Sequence, residues 1–487
     1  MPVSGSIHKE NFLMFLNVFS IETSVNCRVL KMIRHTHIIL LIVLLFPYHA
    51  SSSSLPSSSD YHIPSAYQPL GSGARAIGMG GAFIGIADDA TAASWNPGGL
   101  VQLEKSEMSI VGAFLRRKED VSYEKQDYSS DPQTINFDSI NFFSLSYCFS
   151  FLQRNMVISL NYQNLYDFNR EWSQVPVPFD NPSAKMDIDF LSEGRLSAIG
   201  LAYSVEIHPT FSLGMAFNFW ENNFSRNSWD TSTVTNFVYE LPNTRYETYI
   251  ESRSEYDLDN GFNINIGFLW NISPRLSLGG VYKSRFTADL SQKMISKQIP
   301  RQYDKVDEIY EDIEIFPPSI NYQQNELTFP MSYGLGLAWK ITNILTVSMD
   351  IYRTEWDEFL IKTPDGEFSP LFTLPSDDSF LMPSSIPVIK PTHQVRIGTE
   401  YLSLNKTYQV VIPFRAGLFY DPVPGKGSPD KAWGFSIGSG VLKSPYNFDI
   451  AYQYRQANNL GEDYHTGLIH SFDISESILY TSFIYHF

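Results

Sequence analysis

The chain has 487 residues, a formal net charge of −17 and 43% apolar residues, with 35 Phe, 28 Tyr and 8 Trp, yet its mean hydropathy is only −0.16. So acidic a chain offers no basic footprint for a phosphate backbone, which argues against nucleic acid as a partner, and two cysteines, Cys27 and Cys148, build no disulfide framework. An aromatic-rich chain that is not greasy suits short strands with one apolar and one polar face.

Residues 1–54 read as a signal-peptide region. Lys31 and Arg34 precede the apolar run Ile38 to Phe46, which falls well short of the about 20 residues a spanning helix needs and fits a secretory h-region instead. Cleavage is expected among His49 to Ser54. Met32 opens a more ordinary signal than Met1, so it is the expected start. Ser51 to Ser59 is Ser-rich.

Residues 55–105 form the next expected segment. It holds the Gly- and Ala-rich stretch Gly71 to Phe83, the run Ala87-Asp88-Asp89-Ala90 and a tight turn at Asn96-Pro97-Gly98. Gly71-Ser72-Gly73 has no strand before it, which argues against dinucleotide binding. Asp88-Asp89 lacks the His or Cys partners of a metal site, so no metal and no cofactor is expected.

From 106 to 487 the pattern is strict alternation over about ten residues. Phe211, Leu213, Met215, Phe217 and Phe219 alternate with Ser212, Gly214, Ala216 and Asn218. Tyr333, Leu335, Leu337 and Trp339 alternate with Gly334, Gly336 and Ala338. Each run puts its large apolar groups on one side of a strand. The opposite side is small and polar, as in a crowded lumen, where a soluble sandwich would expose Lys, Glu and Thr.

Short turns at Gln153-Arg154-Asn155, His208-Pro209-Thr210, Ser273-Pro274-Arg275, Thr342-Asn343, Asn405-Lys406-Thr407 and Lys443-Ser444-Pro445 alternate with long polar stretches at about 118–137, 170–190, 223–257, 290–324, 357–391, 420–429 and 459–474. Those connections imply fourteen strands, at about 107–117, 138–152, 155–169, 191–207, 210–222, 258–272, 275–289, 325–341, 343–356, 392–404, 407–420, 430–443, 446–458 and 475–487. The expected fold is all-β, a transmembrane antiparallel barrel with its short turns on the periplasmic side. The last strand ends in Phe487.

Within the stretch 290–324, Val306, Ile309, Tyr310 and Ile313 recur at helical spacing with carboxylates opposite. This predicts a short amphipathic helix outside the barrel, either a greasy landing groove or a cap on the loops. Lys283, Arg285, Lys340, Asp350, Arg396, Glu400, Arg415, Asp449 and Arg455 share parity with the small residues and are expected to point inward. Such charges read either as an ion network holding the N-terminal segment to the wall or, for Arg396, Arg415, Arg455, Lys283 and Lys340, as receptors for a cargo carboxylate. Gly434-Phe435-Ser436-Ile437-Gly438 matches G-x-S-x-G, but that nucleophile elbow requires a strand-turn-helix, and these residues alternate inside an expected strand.

The stretch Gly71 to Leu100, together with Phe329-Pro330 to Phe359 and His393 to Pro422 with its Arg415-Ala416-Gly417 and Tyr420-Asp421-Pro422, resembles the FadL/TodX (OmpP1-like) family. The resemblance implies an N-terminal hatch plugging the lumen, with Asn96-Pro97-Gly98 standing where the family has Asn-Pro-Ala. It implies passive uptake of long-chain fatty acids or other hydrophobic compounds across the outer membrane of a Gram-negative bacterium, without catalysis. Membrane lipid, lipopolysaccharide and the outer-membrane assembly machinery are the other implied partners. The family kinks its third strand to open a lateral exit, whereas residues 155–169 contain neither Gly nor Pro. The alternative is a barrel that binds secreted proteins through its loops, and a lipase-like barrel ranks third.

Overall fold

The computed structural model describes residues 71–123, 132–178, 183–223, 225–312, 317–364, 366–368, 389–425, 428–460 and 469–487. The expected signal region, the start at Met32 and the first part of the hatch lie outside these residues.

In chain order the strands are β1 (Glu107–Tyr123), β2 (Gln133–Phe151), β3 (Arg154–Asp167), β4 (Arg170–Pro178), β5 (Ala184–His208), β6 (Phe211–Trp220), β7 (Ser228–Glu240), β8 (Thr244–Asp259), β9 (Gly261–Ser273), β10 (Leu276–Lys283) and β11 (Phe286–Asp304). They continue with β12 (Ile309–Asp312), β13 (Ser319–Phe329), β14 (Ser332–Lys340), β15 (Leu345–Thr354), β16 (Leu360–Thr363), β17 (Gly366–Phe368), β18 (Thr392–Asn405), β19 (Val410–Tyr420), β20 (Ala432–Lys443), β21 (Tyr446–Leu460) and β22 (Ile469–His486).

Fourteen of these close a ring in the order β1, β2, β3, β5, β6, β9, β10, β14, β15, β18, β19, β20, β21, β22, every neighbour antiparallel. The last strand returns to the first, with Glu107 opposite His486 and Tyr123 opposite Ile469. Closure leaves the ring no free edge, which a strand structure in hydrocarbon requires. All six short turns fall at one end. At the β2–β3 turn Leu152 and Gln153 both take positive φ, 50° and 59°, the geometry of a tight two-residue hairpin.

Residue parity explains the two faces. Leu160, Met215, Ile266, Leu335, Ile397 and Leu418 are exposed on the outside of the ring, while Ser144, Ser204, Ser212, Ser348 and Ser436 are buried on the inside. The outer band is suited to lipid and the inner face to close packing.

Several long stretches expected as loops are instead strands. Residues 170–178 and 228–259 form β4, β7 and β8, and β11 to β13 occupy most of 286–329. β10 ends at Lys283; after Ser284 and Arg285 the chain resumes as β11, exchanging β9 and β14 for β8 and β13 as partners. The first half of β5 likewise pairs with β4 and β7, the second half with β3 and β6. The wall therefore continues beyond the barrel as a sheet. Its strands alternate Thr and aromatics, as in Trp229, Thr231, Thr233, Thr235 and Phe237, which favours strand over loop. Cross-strand ion pairs such as Arg253–Asp230 at 3.0 Å lie on its other face.

Where a helix was expected through Val306, Ile309 and Tyr310, residues up to Asp312 form a hairpin between β11 and β12. Asp304 Oδ1 accepts the amides of Val306 (2.8 Å) and Asp307 (3.2 Å), Glu308 takes a positive φ of 55°, and Tyr303 packs on Tyr310 across the pair at 4.6 Å. A side-chain-closed turn flanked by Tyr and Ile outcompetes a helical period that spans barely three turns. Val306, Ile309 and Tyr310 are exposed; Ile313 lies outside the described residues.

β3 carries an irregularity without Gly or Pro. Its register on β5 shifts between Asn164 and Tyr166, and its ladder to β2 stops at Phe142 opposite Gln163. Beyond that point side chains bridge the strands, with Asn141 Nδ2 donating to Asn164 O at 3.3 Å and Asn164 Nδ2 to Ser139 Oγ at 3.4 Å.

Candidate functional site

Residues 71–103 lie inside the ring, nearly all of them buried. They form a short helix, Ala74–Gly78, a one-turn helix, Ala92–Trp95, and a 3-10 turn, Pro97–Gln102. Gly80 and Gly81 take positive φ, 69° and 72°, a conformation that glycine adopts without strain.

Asn96 caps the 3-10 turn. Its Oδ1 accepts from Gly98 N at 3.1 Å, while its Nδ2 donates to Ile84 O at 2.9 Å and to Phe268 O on β9 at 2.8 Å. One side chain thus closes its own turn, ties the two arms of the segment together and fixes both to the wall. Pro97, which has no N–H to satisfy, occupies the first turn. A Cβ at Gly98 would come within 2.8 Å of Gly267 O and Phe268 Cα, so the departure from Asn-Pro-Ala lets the turn sit directly on β9. Ser212 Oγ donates to Gly98 O at 2.6 Å. Gly98→Ala is therefore expected to cost about 1–3 kcal/mol through overpacking, read as a lower urea midpoint for the barrel refolded in lipid. An unchanged midpoint would show slack at this contact.

The wall grips the segment mostly by its backbone. Asp350 Oδ2 accepts the amides of Phe83 (2.7 Å) and Ile84 (2.8 Å), Ser348 Oγ donates to Ala82 O at 2.6 Å, and Ser277 Oγ to Gly85 O at 2.7 Å. Ser436, the serine of the G-x-S-x-G match, lies within β20; its Oγ accepts from Gly80 N at 2.8 Å and donates to Gly78 O at 3.2 Å. It anchors the hatch. Glu107 Oε1 accepts Ala90 N at 2.5 Å and Glu107 Oε2 meets His486 Nδ1 at 3.1 Å.

Most of the expected lumen charges fall into two chains of contacts. Arg75 of the hatch bonds Asp88 at 2.5 Å and Glu400 at 3.0 Å. Arg415 bonds Glu400 and Asp449, each at 2.6 Å. Arg396 donates to Gly80 O at 2.9 Å and pairs with Asp421 at 3.3 Å. Arg455 pairs with Asp421 at 3.3 Å and Glu476 at 2.6 Å, and Arg117 also pairs with Glu476. Burial pushes the nearby Asp89 carboxyl up to about 6, against the pull of Arg75 and with the push of Asp88.

Lys283 is buried higher in the lumen, its Nζ 5.8 Å from the Tyr352 ring centroid. Lys340 keeps the inward register opposite Thr346 and is exposed at the short-turn end of β14. One inward expectation is corrected. Arg285 is exposed on the outside, 3.9 Å from Glu358, because the break at Ser284 resets the parity between β10 and β11.

Above the hatch is a narrow chamber lined by Leu165, Tyr166, Trp220, Phe286, Pro330 and Trp356, interleaved with Asn218, Asn263, Asn265, Lys283, Ser284, Ser332 and Thr354; Trp220 Nε1 donates to Asn263 Oδ1 at 3.0 Å. Trp220 stacks on Phe286 at 4.8 Å and Phe286 on Phe329 at 4.9 Å. The aromatic residues of this chamber were not expected from the sequence. A signal existed: Trp220 shares parity with Ser212, Gly214, Ala216 and Asn218, placing a large ring on the small-residue face just where the strand leaves the barrel.

A family model described as outer membrane protein transport protein (OMPP1/FadL/TodX) matches residues 70–430. No curated protein matches the chain. Among solved structures, a FadL homologue from Pseudomonas aeruginosa is 14% identical, with 86% of this chain and 99% of that chain covered and a TM-score of 0.55. The toluene transporter TodX of P. putida is 14% identical over the same shares, with a TM-score of 0.51. At such identities the likeness is one of fold.

Proposed function

We infer, since this chain belongs to the OMPP1/FadL/TodX family of outer membrane transport proteins, that its chamber is the compartment in which a hydrophobic compound rests on its way across the outer membrane. The observation that carries this reading is the chamber's mixed lining, aromatic rings interleaved with amide, hydroxyl and ammonium groups, directly above a hatch packed inside the ring. The hydrophobic effect supplies the affinity at about 0.8 kcal/mol per buried methylene. No bond of the cargo need be made or broken. Family members are transport proteins, and neither the family match nor the structural neighbours favour the secreted-protein alternative.

The division into a hatch up to about residue 105 and a barrel from 106 is part of the proposal, as is the cargo. A long-chain fatty acid would enter by spreading the side chains of the chamber, its tail on Tyr166, Trp220, Phe286 and Trp356 and its carboxylate towards Lys283. Arg396, Arg415 and Arg455 are engaged with Asp421, Glu400, Asp449 and Glu476 below it, which suits them to holding hatch and wall together. Lipid and lipopolysaccharide would contact the outer band, and the assembly machinery would read the last strand.

Lys283→Met tests the head-group assignment. It should weaken binding of a long-chain acid to the purified barrel by about 1–3 kcal/mol and leave an alkane of equal length nearly unaffected. Equal losses for both would move the cargo towards neutral hydrocarbons, and no saturable binding of either would remove the chamber from the transport reading.

A further inference from the structure

Two cavities lie one beyond the other along β15. The first is the chamber. The second, with room for about one water, is lined by Gly81, Ile84 and Trp95 of the hatch and by Asp350, Tyr352 and Arg396 of the wall. Tyr352 stands between them. Its ring lines the lower cavity, while its hydroxyl lies 3.0 Å from Ser332 Oγ and Lys283 Nζ sits over its ring, both being chamber residues.

The ring stands in a close-fitting niche. It packs with Ile84 and Val281 and lies over Gly334, its partner on β14, where a Cβ would come 2.3 Å from Tyr352 Cδ2 and 2.9 Å from Ile84 Cδ1. The missing side chain of Gly334 is the space the ring occupies. The lower cavity differs in chemistry from the chamber. Asp350 Oδ2 and Arg396 hold the hatch backbone at Phe83, Ile84 and Gly80, yet Asp350 Oδ1 and Arg396 Nε are buried without a hydrogen-bond partner among the described residues. An acceptor and a donor left open on one small cavity cost free energy unless a ligand or water meets both.

We propose that Tyr352 is a gate between the chamber and this lower cavity, and that the cavity receives a polar head offering a donor and an acceptor together, an alcohol or an un-ionised carboxylic acid. With the ring as it stands, the chamber ends at Tyr352. With the ring swung off Ile84, a head group reaches Asp350 and Arg396, the two side chains that clasp the hatch turn. This extends the chamber's role as cargo compartment, and the test below reads accessibility, so the gate and the transport reading can fail separately.

The test uses the full chain in intact outer membranes, with Cys27 and Cys148 replaced by Ser and one reporter, Ile84→Cys, in the lower cavity. A small uncharged maleimide is added from outside and the labelling rate is measured. Tyr352→Ala should raise that rate at least tenfold, Tyr352→Phe by less than threefold because the ring remains. Gly334→Ala leaves Tyr352 in place but displaces its ring, and should raise the rate at least threefold. A second reporter, Ala93→Cys, sits in the hatch away from Tyr352 and should keep its slow rate in every variant. Heat-resistant migration of the barrel on gels checks folding. Unchanged labelling at position 84 in both Tyr352→Ala and Gly334→Ala overturns the gate. A parallel rise at position 93 overturns it too, since Tyr352 would then merely hold the hatch in place.

Discussion

Arg415→Met is expected to destabilise the barrel by about 3–5 kcal/mol, the largest single-residue effect anticipated in this chain. The guanidinium has no exposed surface and lies 2.6 Å from both Glu400 and Asp449. Removing it leaves Asp449 without its cation and leaves Glu400 to Arg75 alone. Two carboxylates would then share a water-poor site with half their charge uncompensated, which is where deletion of one partner is costly. Replacing Arg415, Glu400 and Asp449 together by apolar residues of similar size should recover much of the loss, because the uncompensated charge disappears with the pair. Lys340→Met, at an exposed strand end, should cost less than about 0.5 kcal/mol. The measurement is urea unfolding of the barrel refolded into lipid vesicles. A loss below about 1 kcal/mol for Arg415→Met would show that the network contributes little to the fold and would return Arg415 to the pool of cargo-binding cations.

That network illustrates what the sequence discloses and what it hides. Parity alone is enough to place Arg396, Arg415 and Arg455 inside the ring, because each sits on the face of its strand opposite one that is mostly large and apolar. Parity says nothing about partners. Which carboxylate meets which arginine depends on register between strands far apart in sequence, as with Arg415 and Asp449, and on a hatch whose path no periodicity describes. Fourteen strands and six tight turns were legible since the barrel's two solvents, lipid and lumen, impose alternation along its whole height. Beyond the membrane that constraint lapses. There β7, rich in Thr, and β8, rich in Glu and Asp, look like polar loops, and the hairpin at Val306 looks like a helix. Irregularities erased parity in the same way: Arg285 lies beside a break, and the shift at Asn164 uses neither Gly nor Pro. Asn96 was visible as a motif, but its bond to Phe268 O was not.

The second large effect falls on the outer face. Leu335 is 58% exposed on β14, between Gly334 and Gly336, which face inward. Leu335→Arg should cost about 2–4 kcal/mol if the position lies near the bilayer midplane, since a guanidinium there must either leave water or thin the lipid around it. The inward comparison has to be chosen with care. A Cβ at Gly336 would come 2.7 Å from Gly85 N and 2.4 Å from Asp350 Oδ1, so a side chain there would strike the hatch, and its cost would report packing instead of polarity. Thr346 shares the inward face of β15 with Ser348 and Asp350, is only half-buried and lies opposite Glu400, so a cation there keeps access to water and gains an anion. Thr346→Arg should therefore cost clearly less than Leu335→Arg in vesicles, and the gap between them should shrink in detergent micelles, whose thin, deformable shell lets an arginine reach water. Equal costs in vesicles would mean that Leu335 does not face hydrocarbon, and the assignment of β14 to a lipid-facing wall would fall with it.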